Sequence, residues 1–244
     1  MTTYATFGQL DPGFRFRTDL ADPFIEKTPD MLHPDGMIVE VEDFPGVVKT
    51  FGDYRNNAEL VRDGLVPLGA LAKDEPTLDM TYGKGRFWTL WEPDELTAID
   101  IIEERCPNGH AVDFRDTGFD PGQFTRIVLD GPYRLNGTPD TDSDGDYGVH
   151  EPATWQERYQ LIKDGITEAG RLLKRGGILT VKCQDQVCSG KKRWQTADFA
   201  AHGATVGFRW KDELHMPSFR DQPEGRKQVH SRMNFSTALI LVKK

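Results

Sequence analysis

Residues 154–183, "TWQERYQLIKDGITEAGRLLKRGGILTVKC", limit the fold more than any other stretch. Tyr159, Ile162, Ile166, Ala169, Leu172 and Leu173 recur at three- and four-residue spacing, so one face of a helix is apolar. Lys174 and Arg175 suit the end of that helix, and Gly176-Gly177 stops it. "ILTVKC" (178–183) follows as a near-continuous apolar run, the composition of a strand buried on both faces. An apolar segment, "TRIVLD" (125–130), stands before the helix. Strand, helix and buried strand in succession predict parallel neighbours joined by a helical crossover.

The alternation extends to both sides. "PTLDMT", "LTAIDI" (96–101) and "HAVDF" (110–114) read as earlier strands, and "ATVGFRW" and "NFSTALILVKK" as later ones. Leu60, Val61, Leu65, Leu68 and Leu71 predict a helix before the first of these, and "TADFAAHG" another. The last two strands have no helix between them, so they pair antiparallel, with 212–233 as a projecting loop. The expected fold is α/β and Rossmann-like: a seven-stranded, mostly parallel sheet with an antiparallel last strand. Residues 1–45, rich in Pro, Asp and Gly, read as an irregular arm with one strand over 36–42. Residues 46–244 then form a single domain.

In an open α/β sheet, ligands bind beyond the carboxyl ends of the strands. Four acids are expected there: Asp79, Asp100, Asp113 and Asp130. After Asp79 comes "MTYGKGRFW", in which Gly83 and Gly85 allow a tight turn and close backbone approach to a ligand, before a predicted helix start. Gly-x-Gly alone is a weak signal. The phosphate-loop pattern is missing, and Trp88 stands where a dinucleotide fingerprint has its third glycine. Asp100, about 20 residues beyond Asp79, is placed to accept from ribose hydroxyls. Asp113 and Phe114 offer a carboxylate and a ring for an adenine.

Asp130 opens "DGPY". The order Asp79-x-Thr81-x-Gly83-x-Gly85, Asp100, Asp113-Phe114, Asp130-Gly131-Pro132-Tyr133 resembles the S-adenosylmethionine-dependent amino-methyltransferases. That family carries Asp/Asn-Pro-Pro-Tyr after its fourth strand and methylates exocyclic nitrogens of adenine or cytosine. The likeness covers roughly residues 50–244, with the cofactor motif first, the γ-like order. It implies a class I methyltransferase that binds S-adenosyl-L-methionine through Asp79, Thr81, Gly83, Gly85, Asp100, Asp113 and Phe114. It implies that Asp130 and the Gly131 carbonyl accept from the target amine, that Pro132 fixes the turn and that Tyr133 stacks the base. DNA adenine N6 is the first expectation. An RNA base, a protein glutamine, or a catalytically weak partner subunit are the alternatives. Gly131 departs from the family's first proline, and if the carbonyl is used in this way, Gly131→Pro preserves or raises activity.

Charge bears on the substrate. The net charge of −9 argues against a passive nucleic-acid binder. From Lys182 onward, however, 12 Lys and Arg face 6 Asp and Glu, a net +6; the first 181 residues carry 18 against 33, a net −15. Lys191, Lys192, Arg193, Arg220, Arg226 and Arg232 are the expected phosphate contacts, with DNA ahead of RNA as partner. No separate recognition domain is evident, so specificity is short, supplied by a specificity partner, or directed at something other than duplex DNA. "DTDSDGDYGVHE" (140–151) fits a calcium-loop pattern through Asp140, Asp142, Asp144 and Glu151, but "RLNGTP" before it cannot be the required helix; no metal is assigned. Three cysteines without a Cys-x-x-Cys pair, no leader and no apolar run of roughly 18 residues predict a reduced, cytoplasmic protein away from membranes. Cys183, at a strand end, reads as a small hydrophobe rather than a nucleophile. Lys182, Gln184 and Asp185 are weaker candidates for lining the pocket.

Overall fold

The computed structural model describes residues 48–107, 110–135, 154–218, 229–231 and 233–244, and four short strands before them. The chain divides into two compact units, Met1–Val48 and Lys49–Lys244. The first unit corrects the expectation of an irregular arm with one strand. It holds β1 (Thr3–Thr6), β2 (Arg15–Arg17), β3 (Ile25–Glu26) and β4 (Ile38–Glu42), all paired antiparallel in the order β1-β4-β2-β3. Strands of two to five residues are too short to show alternation above the surrounding Pro and Gly, so only β4 is legible in the sequence.

The second unit opens with α1 (Asn57–Leu60), which runs on as a π-turn over Val61–Leu65. The Asn56 side chain caps it by accepting from the Glu59 N–H at 3.0 Å. Then come β5 (Thr77–Asp79), β6 (Leu96–Ala98), β7 (Phe124–Leu129), α2 (Trp155–Leu172), β8 (Leu173–Cys183), β9 (Gln186–Cys188), β10 (Lys191–Arg193), α3 (Gln195–Thr205), β11 (Phe208–Pro217) and β12 (Phe235–Lys243). Six strands form one sheet in the order β11-β12-β8-β7-β5-β6. β6, β5, β7 and β8 run parallel, while β12 lies antiparallel to both β8 and β11. This is the Rossmann-like, class I methyltransferase arrangement expected. The strand count is six among the described residues rather than seven. "HAVDF" forms no ladder: Val112 N–H donates to the Asp100 carbonyl at 2.8 Å, and the segment is otherwise irregular.

α2 begins with a reciprocal capping box between Thr154 and Glu157, and its predicted apolar face is buried. It ends at Leu172, before the predicted Gly-Gly stop, because Leu173 is already extended and pairs with Phe124. Residues 174–176 are exposed and mark an irregularity in the ladder before Ile178. Leu179, Val181 and Leu239 on the sheet pack into one core with Ile162, Ile166 and Ala169 of α2 and Phe199 of α3. The loop expected over 212–233 starts later, since β11 runs to Pro217. Among the described residues no helix is long and apolar enough to cross a membrane. Ile166 is fully buried at the centre of this packing, so Ile166→Ala should cost about 2–5 kcal/mol, read as a lower urea midpoint with unchanged slope.

Candidate functional site

Because β5, β6 and β7 are parallel, their carboxyl ends open onto one edge. Asp79, Asp100 and Asp130 stand there, at 1%, 6% and 9% exposure. Carboxylates so deeply buried need hydrogen bonds, and nearly all of theirs come from this edge. Asp79 Oδ1 accepts from Thr81 N–H at 2.9 Å and Oδ2 from the Trp88 indole N–H at 2.7 Å. Asp100 Oδ2 accepts from Gly83 N–H and Oδ1 from Ile102 N–H, both at 2.8 Å. The Asp130 N–H donates to Thr81 Oγ1 at 2.8 Å. The turn after β5 therefore ties all three acids together: Thr81 serves Asp79 and Asp130, and Gly83 serves Asp100. Gly83 and Gly85 take φ of +57° and +66°, the left-handed region that favours glycine.

The helix predicted after this turn does not form. Gly85 N–H bonds the Tyr82 carbonyl and Trp88 N–H the Gly85 carbonyl, both three-residue steps, and 80–93 continues as turns and bends. Trp88 is drawn inward to Asp79, and with Phe87 it is buried. No row of helix-terminal N–H groups is offered here.

Electrostatics separates the acids. Burial pushes the Asp79 carboxyl up to about 7; the Thr81 and Trp88 bonds oppose this, and the charges of Asp130 and Asp100 add to it. Between the ordinary carboxylate value and about 7, the folded chain keeps a proton that the unfolded chain has lost. The contribution of Asp79 to stability therefore falls as pH rises through that window. Burial also raises Asp130, opposed by Lys182 and by the Asn57 hydrogen bond.

Asp130 Oδ2 accepts from Asn57 Nδ2 at 3.2 Å. Its Oδ1 is buried and has no partner among the described residues. Beyond it, Gly131 O accepts from Tyr133 N–H at 2.8 Å, a three-residue turn about Pro132, whose fixed φ suits it. The carbonyl expected to serve an amine thus already spends one lone pair inside the chain. The Tyr133 carbonyl accepts from both Gln186 Nε2 (2.9 Å) and Gln195 Nε2 (2.8 Å), and Leu135 N–H donates to Gln186 Oε1 at 3.3 Å. The segment 130–135 is held from both sides.

The structure also explains Gly131. A Cβ there would fall inside contact distance of Ile162 Cδ1, which is fully buried on α2. Space rather than a left-handed φ demands glycine. A proline at 131 would likewise meet Ile162 Cδ1, the end of a side chain that must shift to admit it.

Asp113 lies apart from the edge acids, whereas Phe114 Cζ lies 3.8 Å from where a Cβ on Gly131, next to Asp130, would stand. Asp113 is clamped by Arg115 Nη2 at 2.5 Å, which lowers its pKa, and it lines a separate cavity of about 440 Å³ with Asp116, Asp164 and Glu168. The Phe114 ring lies in the core against Gly165 and Leu129. Without a ladder to carry them, these residues turn toward α2. Of the basic residues, Lys191 is exposed, Lys192 Nζ lies 4.6 Å from the Trp194 ring, and Arg193 stacks 3.6 Å from Trp155. Arg220, Arg226, Arg232 and the 140–151 loop lie outside the described residues. Among the described residues no group of three or more His, Cys, Asp or Glu could hold a metal ion. The Cys183 thiol is fully buried and pushed up to about 12 by desolvation, which makes it a poor nucleophile.

Sequence reasoning missed Asn57, Gln186 and Gln195 and undervalued Lys182. Asn57 looks like half of an Asn-Asn cap, and the glutamines carry no motif. Lys182 did carry a signal: it is the single charge in the buried run 178–183. Asn57 also lines a cavity of about 610 Å³, with Glu59, Arg86, Thr89, Leu90 and Met216.

No protein-family profile matches the chain, and no curated protein does. Solved structures are similar. A candidate DNA modification methylase from Thermus thermophilus, complexed with S-adenosyl-L-methionine, has 16% identity and TM-score 0.38 over 54% of this chain and 53% of that one. A SAM-dependent methyltransferase from Methanosarcina mazei has 12% identity and TM-score 0.42 over 73% and 96%. TrmN from Thermus thermophilus has 14% identity and TM-score 0.48 over 86% and 57%. The chain spans about half the length of the Thermus candidate methylase. The functional reading rests on the residues of this chain.

Gly131→Ala should lower stability by about 1–3 kcal/mol through overpacking, and Ile162→Val, which removes the opposing methyl, should recover most of that loss. Urea unfolding of the two single variants and the double variant checks the cycle.

Proposed function

We propose that this chain is an S-adenosylmethionine-dependent methyltransferase that modifies an exocyclic amine of a nucleobase, with DNA adenine N6 as the first target. The observation that carries the reading is Asp130 Oδ1. It is a buried acceptor, partnerless among the described residues, beyond a parallel strand and on the same sheet edge as the glycine turn.

The residues fit the cofactor. S-adenosylmethionine is a cation, and three buried carboxylates converge where it would lie. Gly83 takes its left-handed φ, and a Cβ there would meet only the Thr81 carbonyl, at 3.9 Å, so the turn leaves room for a close ligand. Asp79, Thr81, Gly83, Gly85 and Asp100 would hold it, with the Phe114 ring beside Gly131 at the far end of the row. When bound, the cofactor supplies an electrophilic methyl on a sulfonium that leaves as a neutral thioether.

The chain's own residues act on the other reactant. An exocyclic amine is a poor nucleophile because its lone pair is delocalised into the ring. Asp130 Oδ1 accepts one of its N–H groups, favouring a pyramidal nitrogen with an available lone pair, and stabilises the positive charge that builds there. The same oxygen is positioned to take the proton that the nitrogen must lose. The Gly131 carbonyl keeps a second lone pair but is the lesser acceptor. Tyr133, its backbone clamped by Gln186 and Gln195, offers the face for stacking. The cavity of about 610 Å³ shares Asn57 with the acceptor and has Arg86 on its wall; it is the entry volume for the base. The exposed Lys191 and Trp194, on and beside the β9–β10 hairpin next to that clamp, supply a cation for a phosphate and a second stacking surface.

The test is transfer of labelled methyl from S-adenosylmethionine to DNA and to RNA, followed by mass spectrometry of the nucleosides. N6-methyladenine in DNA is expected, reduced about 10²–10³-fold in Asp130→Ala while cofactor binding persists. A wild-type protein that methylates neither nucleic acid contradicts the proposal.

A further inference from the structure

Lys182 is 1% exposed and is the single charge in the buried end of its strand, residues 178–183. Its Nζ donates to Asn57 Oδ1 at 2.8 Å, and the same amide donates through Nδ2 to Asp130 Oδ2 at 3.2 Å. One asparagine therefore joins a buried cation to a buried anion, using both ends of its amide. The three residues come from α1, β8 and the end of β7, so only the folded chain assembles them. Replacing a buried ion pair with apolar residues of similar volume is often neutral or stabilising, so packing gives no reason for this arrangement. Its consequence is geometric. Oδ2 is occupied, the backbone N–H is fixed by Thr81, and Oδ1 alone is left.

We propose that Asn57 and Lys182 are positioning residues of the transfer site, holding Asp130 as an ionised acceptor that presents only Oδ1 to the incoming N–H. The proposal rests on the reading of Asp130 as the amine acceptor. The charged and titratable groups facing Asp130 are Lys182 on β8 and Asp79 at the end of β5; α1 contributes the neutral Asn57 amide, and α2 presents the apolar Ile162 next to it. Burial raises the Asp130 carboxyl and lowers the Lys182 ammonium, and each charge opposes the shift of the other. Without the cation, only the Asn57 bond resists desolvation, and Asp130 keeps its proton to higher pH.

The decisive variant is Lys182→Met, compared with Asp130→Asn and the double variant. In wild-type protein saturated with S-adenosylmethionine, which holds Asp79 ionised, the acid limb of kcat/KM for DNA reports Asp130 ionisation. Lys182→Met should move that limb upward by about one pH unit or more. In the Asp130→Asn background the same change should alter the rate by no more than about twofold, because its effect passes through the carboxylate. A loss equal at every pH, or an equal loss in both backgrounds, overturns the proposal. Folding is judged separately by urea unfolding. Each single variant strands one buried charge, so the double variant should have a higher midpoint than either, and additive midpoints overturn the pairing. A wild type that transfers no methyl removes the functional reading and the positioning role with it, while the unfolding cycle still decides whether the buried pair exists.

Discussion

Ionised groups at the end of an apolar sheet lose their hydration, and nothing in the core restores it. Asp79, Asp100, Asp130 and Lys182 all face this penalty, which sets the arrangement around them. Each carboxylate takes hydrogen bonds from groups that the fold delivers to one edge: backbone N–H groups of Thr81, Gly83 and Ile102, the Trp88 indole and the Asn57 amide. The turn after β5 is shaped by that demand more than by any helix, since its N–H groups are directed at side chains. One oxygen, Asp130 Oδ1, is left out among the described residues, and the functional reading follows from it.

The rest of the molecule holds that edge in place. Parallel pairing of β6, β5, β7 and β8 puts successive strand ends on the same side. α2 packs Ile162 and Ile166 against the sheet, and Ile162 reaches the first residue after Asp130, so core packing and the acceptor loop share an atom-level contact at Gly131. From the other side the two glutamines fix the Tyr133 carbonyl. Precision in the loop therefore depends on β9 and α3, elements that contribute nothing to the acid cluster itself.

Periodic and long elements are legible in the sequence. α2, with its apolar stripe, and β8 and β12, with their continuous apolar runs, can be placed within a few residues, and the acids at strand ends lead to the edge. Three kinds of feature are not legible. The first three strands, β1 to β3, of two to four residues each, are too short for a period to emerge. "HAVDF" has strand composition but, among the described residues, one backbone hydrogen bond to the segment after β6, and composition cannot reveal a missing ladder. Asn57, Gln186 and Gln195 act through contacts across more than 50 residues of chain, which no local pattern encodes. Gly131 stands out as a departure, but its cause, a methyl group on a helix 31 residues later, exists only in three dimensions.

The central claim is that three buried carboxylates on this edge receive a cationic cofactor. With the Asp79 carboxyl at about 7, the free protein holds a fraction of a proton there at neutral pH. A bound cation favours the ionised form, so binding must expel that proton. Calorimetric titration with S-adenosylmethionine at pH 7, in buffers of differing ionisation enthalpy, measures it directly. The account predicts net release of a fraction of a proton per molecule bound, falling toward zero in Asp79→Asn. Absence of binding, or binding by the wild type with no proton exchanged, would contradict it.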